Sequence, residues 1–344
     1  MSEKVLSIII PTYNMENYIS KCLDSLLIPS IDLIEVLVIN DGSKDESSAI
    51  AHQYKERFPN SIRVIDKENG NYGSCINRGL KEVTGRYVKI LDADDTFDTK
   101  NFEEFVKFIS QNDTDCIITN YIQINSENKE LNKVCFNIHS KKTRIPFNKM
   151  PKKLLRDIQM HAVTYKTKIL IDNNYFQTEG ISYTDNEWVF LPLAWCKSFV
   201  YYPYVIYRYL IGREGQTVDP SSRDKSFHHS LEGLETELNH LESRTIDKIE
   251  IHKFLVSKFT KRLDNIYKLG ISGTPNMRSK LADFDKVTND RLLKNRIYLS
   301  KSLTIPLMNY NYIEKWRKMN YNQSFKIPRY IILIEKILKR INLI

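Results

Sequence analysis

The sequence predicts an α/β protein, a mostly parallel sheet flanked by helices, followed by a mainly helical C-terminal region. Through residue 125, short β-branched runs alternate with segments whose apolar residues recur at helical spacing. The runs are apolar without alternation, as in strands buried on both faces. They are followed by Pro, Gly, Asn or Asp, which turn a chain.

In order, Leu6–Ile10 is the first strand, ended by Pro11, and Asn17–Leu27 the first helix, with Ile19, Cys22, Leu23, Leu26 and Leu27 on one face. Ile34–Ile39 and Ser47–Phe58 form the second pair, and Ile62–Ile65 and Gly73–Val83 the third. Tyr87–Leu91 and Asn101–Ile109 follow, then a strand at Cys116–Ile124. Strands separated by helices imply a parallel sheet in an α/β layer architecture. Residues 126–150 are polar and read as an irregular connection or a pair of strands. Residues 154–172 and 185–196 read as helices, and Phe199–Tyr209 as an aromatic strand. From Ser222 the spacing is helical over 224–242, 246–268 and 276–300, with Gly270–Pro275 as a breaker. The expected domains are 1–218 and 219–344.

At 42% hydrophobic and 11% aromatic residues, the chain has material for a packed core, which excludes a disordered protein. Five Cys (Cys22, Cys75, Cys116, Cys135, Cys196) stand singly without a CxxC pair, against a disulfide framework or structural zinc. No signal-peptide core and no transmembrane run is visible, so a reduced, cytoplasmic protein is expected. The net charge of +9 is spread along the chain, and no nucleic-acid partner is expected.

In open α/β sheets ligands bind beyond the carboxyl ends of the strands. Those ends carry Pro11-Thr12-Tyr13-Asn14 with Glu16, Asn40-Asp41-Gly42-Ser43, Glu68 to Ser74, and Leu91-Asp92-Ala93-Asp94-Asp95. Turn chemistry explains each singly, and explains the fourth worst. Three carboxylates within four residues repel one another unless a cation sits among them. Hard oxygen donors of this kind suit Mg²⁺ or Mn²⁺, and the competing reading is that Asp94 or Asp95 caps the next helix. There is no GxGxxG after the first strand and no GxxxxGK[ST], which disfavours a dinucleotide enzyme or a P-loop ATPase.

The segments SIIIPTYNMENYISKCLDSL, EVLVINDGSKDES, NGNYGSCINRGL and TGRYVKILDADD stand in the order and spacing of the family 2 glycosyltransferases, which this chain resembles over about residues 5–125. ISYTDNEWVFLPL and YRYLIGREGQTV extend the resemblance more weakly to about residue 218. The resemblance implies the GT-A (Rossmann-like) fold. It implies that Thr12, Tyr13, Glu16 and Asp41 hold the nucleotide base and ribose, and that Asn71 and Ser74 lie over the nucleotide. Asp92-Ala93-Asp94 matches the DxD, with Asp94 the direct metal ligand and Asp92 nearer the ribose. Asp185 matches the catalytic base, although Thr184 replaces the usual acid before it, which leaves Glu187 as the alternative. Tyr207-Arg208 and Gly212 to Gln216 resemble the mobile segment near the diphosphate, where Arg213 would offer a bidentate donor. His161 is read either as bordering the acceptor or as a buried structural histidine.

The implied reaction is an inverting transfer of a hexose from a UDP-sugar, dependent on Mn²⁺ or Mg²⁺. The acceptor would be a hydroxyl of a saccharide, polyprenyl-linked, in cell-surface polysaccharide synthesis. The alternatives are a nucleotidyltransferase that makes a nucleotide sugar and a non-catalytic nucleotide-sugar-binding protein on the same fold. Residues 326–344 hold five basic residues against one acidic, with apolar residues at helical spacing from Tyr330 to Ile344. Such a helix suits peripheral contact with the inner face of the cell membrane. The competing reading is packing on the protein or on a second subunit, a homodimer through the helical region.

Overall fold

Continuous β-branched runs have two apolar faces to hide, so the strands they form sit in the middle of the protein. The computed structural model describes residues 3–213, 224–243, 249–297, 304–305, 310–322, 330, 333–334 and 336–337. In it, β1 (Leu6–Thr12) and β2 (Ile34–Asn40) are buried along their whole length. With β3 (Ile62–Asp66) and β4 (Tyr87–Ile90) they form a parallel array in the order β3-β2-β1-β4. The crossovers carry α1 (Ile19–Asp24), α2 (Ser47–Arg57) and α3 (Asn71–Leu80).

β1 runs through Pro11, where the sequence predicts its end. β4 stops at Ile90, paired with Ile9, so Pro11 lies beyond the last residue that would need its missing N–H. After β5 (Thr96–Phe97), α4 (Thr99–Ser110) is capped by Asp98, whose carboxylate accepts from Asn101 N–H at 3.0 Å. Neither Asp94 nor Asp95 is that cap.

β6 (Cys116–Ile124) lies parallel to β10 (Ser198–Leu210), and the sheet continues β4-β9-β6-β10-β5. β7 (Glu130–Val134) pairs with β6, and β8 (Arg144–Pro146) with β10. The fold is thus a mixed sheet with flanking helices.

The expected helix over 154–172 is wrong. That stretch is α5 (Lys152–Asp157), a 3₁₀ turn Met160–Ala162, the strand β9 (Val163–Lys166) and α6 (Thr167–Asp172). β9 sits antiparallel between β4 and β6 in the middle of the sheet, where Val163, Thr164 and Tyr165 are buried. The expected helix 185–196 breaks into α7 (Asp185–Trp188) and α8 (Leu191–Trp195), with Pro192 in the first turn of α8. Tyr207 and Arg208 belong to β10 rather than to a mobile segment, because β10 pairs with β6 through Leu210.

The chain divides into two compact units, Met1–Gln216 and Thr217–Ile344. The second contains helices Phe227–Glu242, Ile249–Ser272 and Pro275–Lys294. Its interior holds Leu234, Leu238, Phe259, Leu263 and Leu281, and a fully buried Asp285 that accepts from Tyr267, Arg317 and Tyr321. Among the described residues no helix is long and apolar enough to cross a membrane.

Candidate active site

The carboxyl ends of β1, β2, β3 and β4 converge on one rim. After β1, Asn14 adopts a left-handed conformation (φ 51°), and its side chain accepts from Lys44 N–H at 2.8 Å. Glu16 accepts from Glu46 N–H at 3.0 Å, and its own N–H donates to Asp45. Glu16 therefore fastens the β1 loop to the β2 loop. Thr12 is buried and Tyr13 exposed.

Asp41, 3% exposed, is the centre of a second group. It accepts from Lys67 Nζ at 2.6 Å and from Gly70 N–H at 3.0 Å. The same ammonium donates to Ser74 Oγ at 2.9 Å, and Ser74 donates to the Asn71 carbonyl at 2.7 Å. Asp41 and Ser74, two of the expected nucleotide-binding residues, are thus bridged by Lys67, and a third, Asn71, is joined to them through Ser74. Sequence reasoning missed Lys67, although it follows β3 just as the other candidates follow their strands.

The aspartates after β4 take three different environments. Asp92 accepts from Tyr72 OH at 2.7 Å, and its N–H donates to Tyr207 OH at 3.1 Å. Burial, and next the charge of Asp94, raise the Asp92 carboxyl to about 7. Asp94 forms an ion pair with Arg213, whose guanidinium also lies over the Tyr18 ring at 5.5 Å. Asp95, 1% exposed, accepts from Tyr207 OH and from Leu210 N–H, each at 2.6 Å. Burial, then Asp94 and Asp92, hold its carboxyl well above the usual range. Ala93 is buried between them.

His161, in the 3₁₀ turn before β9, reaches the same place. Its ring stacks on Tyr209 at 4.4 Å and meets Tyr207 edge-on at 4.7 Å. One donor atom each from Asp92, Asp95 and His161 lie within 4.8 Å of one another. The donor set therefore fits a divalent cation on its own chemistry, two carboxylates and a buried imidazole. Lys89, fully buried on β4, donates to the carbonyls of His161 at 2.8 Å and Val163 at 3.0 Å.

Asp185 opens α7 and is half-buried, and Thr184 stands at the helix's N-cap without a side-chain cap bond. Its charge acts on both Asp92 and Tyr72, raising each. Glu187, two residues on, is buried, and its carboxylate accepts from Thr178 N–H at 2.8 Å. The two acids left open by the sequence therefore have different surroundings: the charge of Asp185 acts on Asp92, and Glu187 is bonded to a loop backbone. That loop is strapped to α3. Asn77 exchanges two 2.8 Å bonds with the backbone of Gln177, and Gly73 lies so close that an added Cβ would meet Thr178 O at 2.0 Å. Of the expected sites, Arg213 is described, and residues 214–216 lie outside the described residues.

Residues 7–172 match the family described as Glycosyl transferase family 2. The uncharacterized glycosyltransferase EpsJ of Bacillus subtilis is 35% identical over 125 residues, covering 36% of each chain. The minor teichoic acid biosynthesis protein GgaB of the same organism is 36% identical over 107 residues, 30% of this chain and 12% of its own length. The chain therefore spans well under two thirds of these curated relatives. Among solved structures, S. aureus TarS 1–349 in complex with UDP-GlcNAc has a TM-score of 0.64 at 20% identity, covering 94% of both chains. At that identity the likeness is one of fold, and the fold is GT-A. Residues 7–172, just under half of the chain, are thus similar to the family 2 glycosyltransferases, and the architecture is that of the GT-A fold.

Proposed function

We propose that this protein transfers a hexose from a UDP-sugar, with inversion, to a hydroxyl of a lipid-linked saccharide during polysaccharide or teichoic acid synthesis. The observation that supports the reading is that the charge of Asp185 acts on Asp92, in the group of aspartates that follows β4, and on its partner Tyr72. The teichoic acid relative and the UDP-GlcNAc complex of TarS support the substrate class.

Residues 1–218 form the catalytic domain in this reading. Thr12, Tyr13 and the Asp41–Lys67–Ser74 group meet the nucleoside, with Glu16 and Asn71 shaping the loops around it. A divalent cation, Mn²⁺ or Mg²⁺, bound among the aspartates supplies positive charge against the diphosphate. Arg213, here on Asp94, is close enough to that cluster to turn its guanidinium to a phosphate oxygen. Asp185 accepts the proton of the acceptor hydroxyl as its oxygen attacks the anomeric carbon and the nucleoside diphosphate leaves. Asp185 makes no bond to the sugar, so the configuration inverts.

Segment 326–344, most of which lies outside the described residues, is proposed to touch the inner face of the membrane. Of its described residues, Tyr330, Leu333 and Ile337 are exposed. A homodimer through 219–344 is the competing use of the same region.

A panel of nucleotide sugars, with Mn²⁺ or Mg²⁺ and a short polyprenyl-linked saccharide, tests the reading. It expects metal-dependent UDP release with sugar found on the acceptor. Pyrophosphate release from a nucleoside triphosphate would convict it in favour of a nucleotidyltransferase. Tight donor binding without turnover on any acceptor would favour a binding protein.

A further inference from the structure

Gln177 is fully buried, yet it carries a side-chain amide where an apolar residue of similar size would need no hydrogen bond. Its Nε2 donates to the Thr184 carbonyl at 2.8 Å. That carbonyl already accepts from Glu187 N–H at 2.9 Å, so the bond from Gln177 does not rescue an orphaned group. It ties the loop to the chain entering α7, one residue before Asp185.

α7 is only four residues long and has no cooperative stability of its own, so tertiary bonds must place it. Its far end is anchored by the fully buried Trp188, whose carbonyl accepts from Tyr165 OH at 3.0 Å. Its near end carries Asp185 and follows Tyr183, which stands in the left-handed region (φ 68°). That conformation is costly for so large a side chain and persists only where the surroundings hold it. Asn186 donates to the Tyr183 carbonyl and to the Asp185 carboxylate, each at 3.2 Å. A shift of the entering chain therefore reaches the carboxylate.

Gln177 is itself held from the other side. Asn77 of α3 bonds both backbone groups of Gln177 and also donates to Glu179 at 2.9 Å. Gly180 N–H donates to the Gly70 carbonyl at 3.0 Å, at the start of α3. A line of hydrogen bonds thus runs from α3 through Asn77 and Gln177 to the chain entering α7, and Asn186 continues it to Asp185.

We propose that Gln177, braced by Asn77, is a positioning residue for Asp185 that fixes its carboxylate relative to α3. Gln177 touches neither donor nor acceptor and acts through Asp185. Its role in transfer rests on the reading of Asp185 as the base; the hold on α7 stands on the bonds alone.

The test uses the full chain, a panel of UDP-hexoses including UDP-GlcNAc, Mn²⁺ and a short polyprenyl-linked saccharide. Gln177→Met keeps an unbranched side chain of similar size and removes the donor. Hydrogen exchange of the unliganded chain should quicken about tenfold in 181–188, with 34–40 and 116–124 unchanged. The variant's kcat should fall about 10²-fold, with donor KM and UDP affinity unchanged. In the Asp185→Asn background the same substitution should lower the residual kcat no further, because nothing is left to position. A merely structural role would lower it again. Asn77→Ser carries the same expectations for exchange and kcat, and serves if Gln177→Met does not fold. Unaltered exchange in 181–188, an unaltered kcat, or a further fall in the Asp185→Asn background overturns the proposal. A wild-type chain without turnover on any UDP-hexose sinks the transferase reading instead, and exchange in 181–188 then upholds or overturns the hold on α7 by itself.

Discussion

Replacing Lys89 with methionine keeps most of the unbranched side chain, one atom shorter, and removes its charge, and the result depends on pH. Lys89 is fully buried on β4, and burial draws its ammonium from the usual 10.5 down to about 7. A gap of about 3.5 in pKa corresponds to about 5 kcal/mol, at 1.36 kcal/mol each. Below pH 7 both folded and unfolded chains carry the proton, and burying the cation costs that full amount. Between pH 7 and 10.5 the unfolded chain holds the proton and the folded chain does not, so the cost falls and stability rises with pH. Methionine removes this dependence but strips a donor from the carbonyls of His161 and Val163, at about 1–3 kcal/mol each. Near pH 7 the two effects roughly offset. By pH 9.5 the wild type has regained about 3 kcal/mol over the variant, from 2.5 pH steps of 1.36 kcal/mol each. His161, whose carbonyl Lys89 holds, does not confuse the comparison, since burial and then Lys89 push it down to about 3. Urea unfolding of both proteins from pH 7 to 9.5 measures the difference; emission from Trp188 and Trp195 reports the first unit. A stability difference that stays flat across that range refutes the reasoning.

Asp185→Asn should lower kcat by about 10²–10⁴ with UDP affinity unchanged, whereas Glu187→Gln should lower stability by about 1–3 kcal/mol and keep the pH profile of turnover. Steady-state kinetics with calorimetric UDP titration separates them, and a normal kcat for Asp185→Asn removes it as the base. Gly73→Ala puts a Cβ 2.0 Å from Thr178 O, so the loop leading to Asp185 must move. A displacement near 1 Å at the chemistry is worth about 10²-fold. The variant should therefore lose mostly kcat, with KM for the donor little changed, and an unaltered kcat would show that the loop does not position the base.

The parallel half of the fold was legible because burial on both faces writes itself into sequence as unbroken apolar runs, Ile8–Ile10 and Val36–Ile39 most plainly. β9 was not legible for the opposite reason. Four residues between two short helices leave too little periodicity to tell strand from helix, and only its slot between β4 and β6 decides. At the site, the rule that ligands gather beyond strand ends located Asp41, Ser74 and the aspartates, and applied one residue after Asp66 it reaches Lys67 as well. Tyr72, Tyr207 and Lys89 act through partners more than 15 residues away in sequence, such as Tyr72 on Asp92 and Lys89 on the His161 turn. No local pattern records those pairings. The sequence also left Asp185 and Glu187 undivided, and it took the Thr178 N–H on Glu187 to give the two acids different surroundings.

The most direct test of a UDP-sugar site at the strand ends is hydrogen exchange of the full chain with and without UDP and Mn²⁺. Slowed exchange should appear together in residues 12–16, 41–44, 69–74 and 92–95. Saturating UDP that protects none of these segments, or protects only the helices after residue 224, would contradict the account.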